Sequence, residues 1–199
     1  MKIFCSSAHP VIAEDLGTVP DYVRRSLARL ALPGFKVLRW ERDWDAPGQP
    51  FRDPASYPAA SVAMTGTHDT EPMRVWWEHA PAEERAAALQ IPGLDVSGAS
   101  PDSPFSAALR DAFLRVLFHA GSDLLMLPIQ DVFAWSDRIN VPATVGADNW
   151  TYRLPWPVDR LSEIREACEA AARLRRWAEE SGRTMGTRPS PASRETAAW

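Results

Sequence analysis

The chain has 199 residues, 45% of them hydrophobic, and a net charge of −4. This length suffices for one domain with a sizeable core, and the mild acidity argues against nucleic acid as a partner, because nucleic acid favours a basic face. No apolar run approaches the ~20 residues of a membrane span, and the first residues do not resemble a signal peptide. Two cysteines without a CxxC pair favour a reducing cytoplasm.

Strand-like and helix-like segments alternate along the chain. Short apolar runs predict four strands, and capping residues and apolar stripes predict helices between them. Thr18 is the predicted cap of the first helix, with Pro20 in its first turn. Buried strands that alternate with helices favour a parallel α/β sheet. The predicted strands are residues 10–14, 35–40, 61–66 and 124–130; the helical regions are residues 20–30, 73–79, 81–89, 104–120 and 161–177.

Three segments follow from this pattern. Residues 1–157 contain the strands and their helices, residues 158–180 are expected to form a peripheral covering helix, and residues 181–199, which lack periodicity, a loose tail. Four strands form either an open sheet or half of a barrel, because a closed barrel of this kind needs eight. The chain starts almost directly on its first strand, which suggests a piece of something longer.

Two carboxylates follow strands of this predicted sheet. Glu14 ends the first strand, and Asp69 follows the third in the run Thr67, His68, Asp69. If these strands are parallel neighbours, both carboxylates lie at the same edge of the sheet, where α/β folds place their active sites. Two carboxyl groups that face one cleft are the catalytic residues typically used to cleave a glycosidic bond. Glu14 then suits a general acid, because partial burial raises the pKa of a carboxyl group.

Each candidate also has a structural interpretation. The pair Glu14 and Asp15 suits an acidic cluster leading into a helix, and His68 and Asp69 suit a turn into the next helix. A metal at the His68 segment lacks further ligands at helical spacing. Other polar residues of the predicted rim are ordinary loop residues when taken singly; these are Asp43, Gln130, Asp131, Asn140 and Asn149. The nine tryptophans suit sugar stacking, but core packing explains most tryptophans.

Five blocks of sequence together resemble the 4-alpha-glucanotransferases, the amylomaltases or disproportionating enzymes. The blocks are residues 11–17, 32–38, 65–69, 127–132 and 138–144, the last continued by Asn149, Trp150, Arg153 and Leu154. The resemblance covers residues 10–157. It implies the C-terminal half of a (β/α)8 TIM-type barrel of the α-amylase superfamily, with four parallel strands and covering helices.

The resemblance also implies roles for individual residues. Glu14 matches the general acid/base and Asp69 the carboxylate that stabilises the transition state. His68 matches a histidine that contacts the donor sugar, and Asp43 and Asn140 fall where the family has further sugar-binding groups. The implied reaction is retaining transfer of an α-1,4-glucan segment to the 4-hydroxyl of an acceptor. It needs no metal or organic cofactor, and its ligands are maltooligosaccharides and α-1,4-glucans.

One element of the family pattern is missing. Its nucleophile is an aspartate in an Arg-x-Asp-His context, which occurs nowhere in the 199 residues. Retaining chemistry places nucleophile and acid about 5–5.5 Å apart. We therefore expect a fragment that lacks the nucleophile strand and is inactive alone, with the missing N-terminal half of the barrel as its partner. The alternative is a non-catalytic, glucan-binding or vestigial half-barrel; a third possibility is a hydrolase of the same superfamily, against which the resemblance of the block from Asn140 to Trp150 argues. The family often has Asn-Asp-Thr after Thr-His-Asp, whereas Asp69 is followed by Thr70, Glu71 and Pro72.

Overall fold

The computed structural model describes residues 11–183. They form six α-helices and three β-strands in the described part, with short 3-10 turns at Leu38–Trp40, Pro54–Ser56 and Val158–Glu163. In chain order the elements are α1 (Asp21–Arg29), β1 (Gly34–Val37), β2 (Ser61–Met64), α2 (Met73–His79), α3 (Ala82–Ala88), α4 (Ala107–Phe118), β3 (Leu124–Met126), α5 (Ile129–Phe133) and α6 (Arg165–Glu180).

The three strands form one parallel sheet in the order β1-β2-β3. Gly34 pairs with Ser61, and Val62 pairs with Leu124. Every residue of the central strand β2 is buried, as expected for a parallel strand covered on both faces. The predicted parallel α/β sheet is therefore confirmed. The continuation of this sheet into half of a barrel stays a prediction.

The first predicted strand is reduced to a single bridge. Ala13 pairs in parallel with Gly34, and its N–H donates to the carbonyl of Pro33 at 2.8 Å. Residue 10 lies outside the described residues. Beyond Ala13 the backbone forms no further bridge to β1, and the Asp15 carboxylate instead accepts a hydrogen bond from the N–H of Phe35 at 2.7 Å. The described residues therefore contain three strands and one bridge, and the prediction of four strands is not confirmed.

All three strands end earlier than expected, β2 at Met64 instead of residue 66. β1 ends at Val37, where the chain coils into the turn Leu38–Trp40, and β3 ends at Met126. Pro128 then precedes α5, so the apolar run 124–130 divides between a strand and a helix. An apolar run alone does not distinguish these two structures.

The first helix begins after a proline instead of the predicted threonine cap. Pro20 is the N-cap of α1, and no side chain caps that terminus, so Thr18 does not have its predicted role. The Ser106 side chain accepts a hydrogen bond from Leu109 N at 3.2 Å and caps α4. Trp76 and Trp77 of α2 meet Phe113 of α4 edge to face, with ring centroids 6.1 and 5.9 Å apart. This aromatic cluster fixes α2, which follows the segment carrying His68 and Asp69.

The chain divides into two compact units between Arg153 and Leu154. The first contains the sheet, with a core at Val37, Val62 and Met64. The second contains α6, on which Ala170 and Trp177 are buried. The predicted loose tail falls largely on residues 184–199, outside the described residues. Within residues 11–183 no helix is both long enough and apolar enough to cross a membrane.

Candidate active site

Residues 65–72 connect β2 to α2 and carry His68 and Asp69. The Thr67 hydroxyl accepts a hydrogen bond from Asp69 N at 3.2 Å. The Thr70 hydroxyl accepts from Thr67 N at 2.9 Å and donates to the Thr67 carbonyl at 3.0 Å. The turn that the structural interpretation expected is therefore present. It holds the backbone while leaving the His68 and Asp69 side chains 41% and 37% exposed.

The Asp69 carboxylate is held through one oxygen. Its Oδ1 accepts a hydrogen bond from Asn140 Nδ2 at 2.7 Å and lies 3.2 Å from His68 Nε2. Within the described part of the chain, no protein hydrogen-bond donor contacts Oδ2. One oxygen is thus fixed by protein groups and the other has no such donor, an arrangement that suits a carboxylate acting on a bound molecule.

Arg138 joins the two segments that meet at Asp69. Its Nη2 donates to the carbonyl of Asp69 at 2.6 Å, and its Nε donates to the carbonyl of Asn140 at 2.8 Å. The Asn140 N–H in turn donates to the carbonyl of His68 at 3.2 Å. The guanidinium therefore fixes the backbone on both sides of the Asn140–Asp69 hydrogen bond.

Glu71 connects Arg138 to the protein interior. It lies 3.5 Å from Arg138 Nη1, and it forms an ion pair with Arg39, which is buried. Burial lowers the pKa of Arg39, while the charge of Glu71 opposes that change. The Arg39 guanidinium also lies over the ring of Trp76, 5.7 Å from its centroid. A buried cation thus anchors the loop that carries Asp69.

A cavity of about 470 Å³ opens beside these groups. Its walls combine aromatic rings with charged side chains, which suits a polar ligand that also has apolar faces. A second cavity of about 380 Å³ shares Trp40 and Trp44 with the first. The residues that define the two cavities here are Arg39, Trp40, Trp44, Asp69, Trp76 and Arg138 for the first, and Asp15, Arg24, Phe35, Trp40, Glu41 and Trp44 for the second.

Glu14 is exposed and follows the Ala13 bridge at the edge of the sheet. Of the two adjacent acids Glu14 and Asp15, Asp15 is the one that lines the second cavity within the described residues. The Asp15 carboxylate is engaged with Phe35 N, which gives it a structural task other than leading a helix. The meeting of Glu14 with Asp69 at one mouth stays a prediction.

Asp43 lies in a half-buried turn between Arg42 and Trp44, both of which line the first cavity. Its N–H donates to the Pro50 carbonyl at 2.9 Å, and its own carbonyl accepts from Ala46 N at 3.2 Å. These bonds shape the 43–50 segment, which presents Trp44. Binding of a sugar by the Asp43 side chain stays a prediction.

Asp131 and Gln130 differ from the expectation for rim residues. Both are buried in α5, and Asp131 is only 2% exposed. The Asp131 carboxylate accepts hydrogen bonds from the Thr65 hydroxyl and from Met73 N, the latter at 2.7 Å. Burial raises the pKa of Asp131, and these two hydrogen bonds and the charge of Arg39 oppose the rise. Asp131 therefore ties the end of β2 to the start of α2 beneath the site.

Arg138, Glu71 and Arg39 were not among the candidates from the sequence. One signal was available: Arg138 and Asn140 are two residues apart, and side chains at that spacing share a side of an extended segment. The ion pair between Arg39 and Glu71 joins residues 32 positions apart, so no local pattern predicts it. Among residues 11–183, no three His, Cys, Asp or Glu side chains are grouped to hold a metal ion.

Comparisons with known proteins agree on one family. The family model of 4-alpha-glucanotransferases matches residues 2–159. A 4-alpha-glucanotransferase from Chlamydia muridarum is 34% identical over 164 residues, which cover 76% of this chain and 29% of that protein. One from Thermus thermophilus is 33% identical over 176 residues, covering 83% of this chain and 33% of that protein.

A solved structure gives the same result. The amylomaltase from Streptococcus agalactiae, determined in complex with acarbose, matches with a TM-score of 0.68 and 26% identity. The match covers 90% of this chain and 33% of that one. The chain thus spans about a third or less of the length of these relatives.

Proposed function

The chain belongs to the 4-alpha-glucanotransferase family, and from this premise we propose that it supplies part of the active site of an enzyme that transfers α-1,4-glucan segments. The donor is a maltooligosaccharide or longer glucan, and the acceptor is the 4-hydroxyl of another glucan or of glucose. The observation that carries the proposal is the Asp69 carboxylate. It is held through Oδ1 by Asn140 and His68 beside a cavity lined with tryptophan and arginine.

In the proposed reaction Asp69 stabilises positive charge. Cleavage of a glycosidic bond passes through an oxocarbenium-like transition state, and a carboxylate near the ring lowers its energy. The Asn140 and His68 contacts to Oδ1 fix the carboxylate, so that little reorganisation is needed during the reaction. His68 is the proposed contact for a hydroxyl of the donor sugar, and its partial exposure supports this role. Asn140 and Asp43 are further proposed sugar-binding residues.

Glu14 is the proposed general acid/base. It protonates the oxygen of the leaving glucan, and later removes a proton from the acceptor hydroxyl. Its exposed position next to the Ala13 bridge leaves it accessible to a ligand. Retention of configuration requires two displacements, so a carboxylate nucleophile must form a glucosyl-enzyme intermediate between them.

We propose that polypeptide outside this sequence supplies that nucleophile. The proposal is supported by the lack of an Arg-x-Asp-His segment in the 199 residues and by the share of the relatives that the chain covers. The partner is then the N-terminal half of the barrel, either on a longer chain or on a separate one. Nucleic acid, membranes and cofactors have no part in this proposal, and the cytoplasm is its proposed location.

A non-catalytic glucan-binding protein is the alternative. The tryptophan- and arginine-lined cavity favours it, because binding there needs neither Glu14 nor a nucleophile. The two functions differ in what the 199-residue chain does when a complementary N-terminal segment of a 4-alpha-glucanotransferase is added. Transfer of glucosyl units from maltotriose supports the enzyme, and binding without transfer supports the alternative.

The experiment compares three variants with the unaltered chain, each mixed with the N-terminal segment. Glu14→Gln removes the proton donor, and Asp69→Asn removes the negative charge while keeping the shape of the side chain. Each is expected to lower transfer by several orders of magnitude, as usual when one member of a catalytic set is lost. Asp95→Asn alters an exposed loop carboxylate and serves as the matched control, with transfer unchanged.

A further inference from the structure

Trp150 combines strong exposure with an unusual backbone conformation. Its side chain is 65% exposed, and its φ angle is 64°. Bulky residues rarely adopt this left-handed conformation, and positions that hold them in it cluster at ligand-binding sites. Exposed single hydrophobic side chains are common, so exposure alone would carry no weight.

The neighbouring residues hold Trp150 in this conformation. Its N–H donates to the carbonyl of Ile139 at 2.9 Å. The Asn149 side chain accepts from Val141 N at 3.0 Å and donates to the Thr144 hydroxyl at 3.0 Å. The loop 141–150 is therefore closed on itself by its own polar groups. Trp150 is fixed by this loop rather than by burial of its ring.

The indole ring lies against the candidate site. Its centroid is 5.1 Å from that of the His68 ring, with the two planes inclined by 37°. His68 Nε2 is in turn 3.2 Å from Asp69 Oδ1. A ligand that contacts His68 or Asp69 would therefore lie next to the large, exposed aromatic surface of Trp150.

We propose that Trp150 is a sugar-binding residue, whose indole receives the C–H face of a pyranose ring next to the sugar that contacts His68 and Asp69. A pyranose fits this surface because its axial C–H groups form an apolar face while its hydroxyl groups remain free to hydrogen-bond. The negative face of the indole attracts those C–H groups. The inference rests on the proposed glucan site and adds an aromatic contact that the carboxylates do not provide.

The test is maltotriose binding to the full 199-residue chain, measured by calorimetry and by the shifts of the indole N–H resonances in NMR spectra. Trp150→Gly removes the ring but permits the left-handed backbone, because glycine adopts positive φ without strain. We expect this variant to remain folded and to bind about tenfold more weakly, the usual order for one aromatic contact. Trp150→Phe keeps an aromatic face and is expected to recover part of the affinity.

Tyr22→Ala is the matched control. Tyr22 is 66% exposed on α1, so its removal deletes a similarly exposed ring elsewhere in the molecule. The affinity of the Tyr22→Ala variant for maltotriose should equal that of the unaltered chain. Equal binding by Trp150→Gly and the unaltered chain would overturn the inference and leave the glucan site standing. Absence of maltotriose binding by the unaltered chain would overturn both.

Discussion

Asp131 offers a quantitative test of how the site is supported. Replacing it with alanine leaves the Thr65 hydroxyl and the Met73 N–H buried without their acceptor. Each unsatisfied buried donor costs about 1–3 kcal/mol. Removing a buried carboxylate also relieves its cost of desolvation, shown by the raised pKa of Asp131. The net expectation for Asp131→Ala is a loss of about 2–4 kcal/mol in the free energy of unfolding.

Urea denaturation followed by circular dichroism measures this loss. Asp131→Asn retains an acceptor oxygen for Met73 N and should cost about 1 kcal/mol, the order of a single neutral hydrogen bond. Asp95→Ala, at an exposed loop position, should change stability by no more than about 0.5 kcal/mol. Equal stabilities for Asp131→Ala and Asp95→Ala would refute the proposed anchoring of α2 by Asp131.

The pH dependence of the same variants has a defined sign. The pKa of Asp131 is raised in the folded state, chiefly by burial. The folded state therefore binds more protons than the unfolded state between the two pKa values, and the contribution of Asp131 is lost as the pH rises through that interval. Asp131→Asn does not titrate at this position. Its stability deficit relative to the unaltered chain should shrink as the pH rises, and a deficit that grows would contradict this assignment.

Two further predictions concern the segments that meet at the site. Arg138→Ala should cost about 2–3 kcal/mol in unfolding free energy, because it removes two charge-assisted hydrogen bonds. The control Arg74→Ala breaks an exposed ion pair with a helical neighbour and should cost about 0.5 kcal/mol or less. Comparable losses for the two variants in urea denaturation would contradict the proposed role of Arg138 in joining the two segments. Gly34→Ala places a Cβ 2.7 Å from the Asp15 carboxylate, which would have to move and lose its hydrogen bond from Phe35 N, at a cost of about 1–2 kcal/mol. At Gly146 an added Cβ meets nothing within 4 Å, so Gly146→Ala should be nearly neutral when the two variants are compared in thermal melts.

The sheet and most helices were predictable because their signals are local. Apolar runs identified β2, and apolar periodicity identified α4, which begins at Ala107, three residues later than predicted. The wrong predictions lie where one apolar run divides between a strand and a helix. Residues 124–130 are uniformly apolar up to Gln130, yet Pro128 begins α5 and buries Asp131 instead of placing it on the rim. The sequence could not indicate this, because the acceptor role of Asp131 depends on Thr65 and Met73, far away along the chain.

The candidate site was predictable in part. His68, Asp69 and Asn140 were identified as candidates, and the structure brings them together. The support of Asp69 by Arg138 depends on a contact between residues 69 positions apart, for which no local pattern exists. Exposure of Trp150 beside His68 likewise arises from loop closure rather than from any apolar periodicity.

The central claim is that Asp69 and Glu14 take part in glucan transfer. The most direct measurement is the appearance of glucose and longer glucans from maltotriose, followed by chromatography. We expect none from the 199-residue chain alone and transfer when the complementary N-terminal segment is added, with Glu14→Gln and Asp69→Asn each abolishing it. Transfer that persists at the original rate in either variant, or robust transfer by the chain alone, would contradict these assignments.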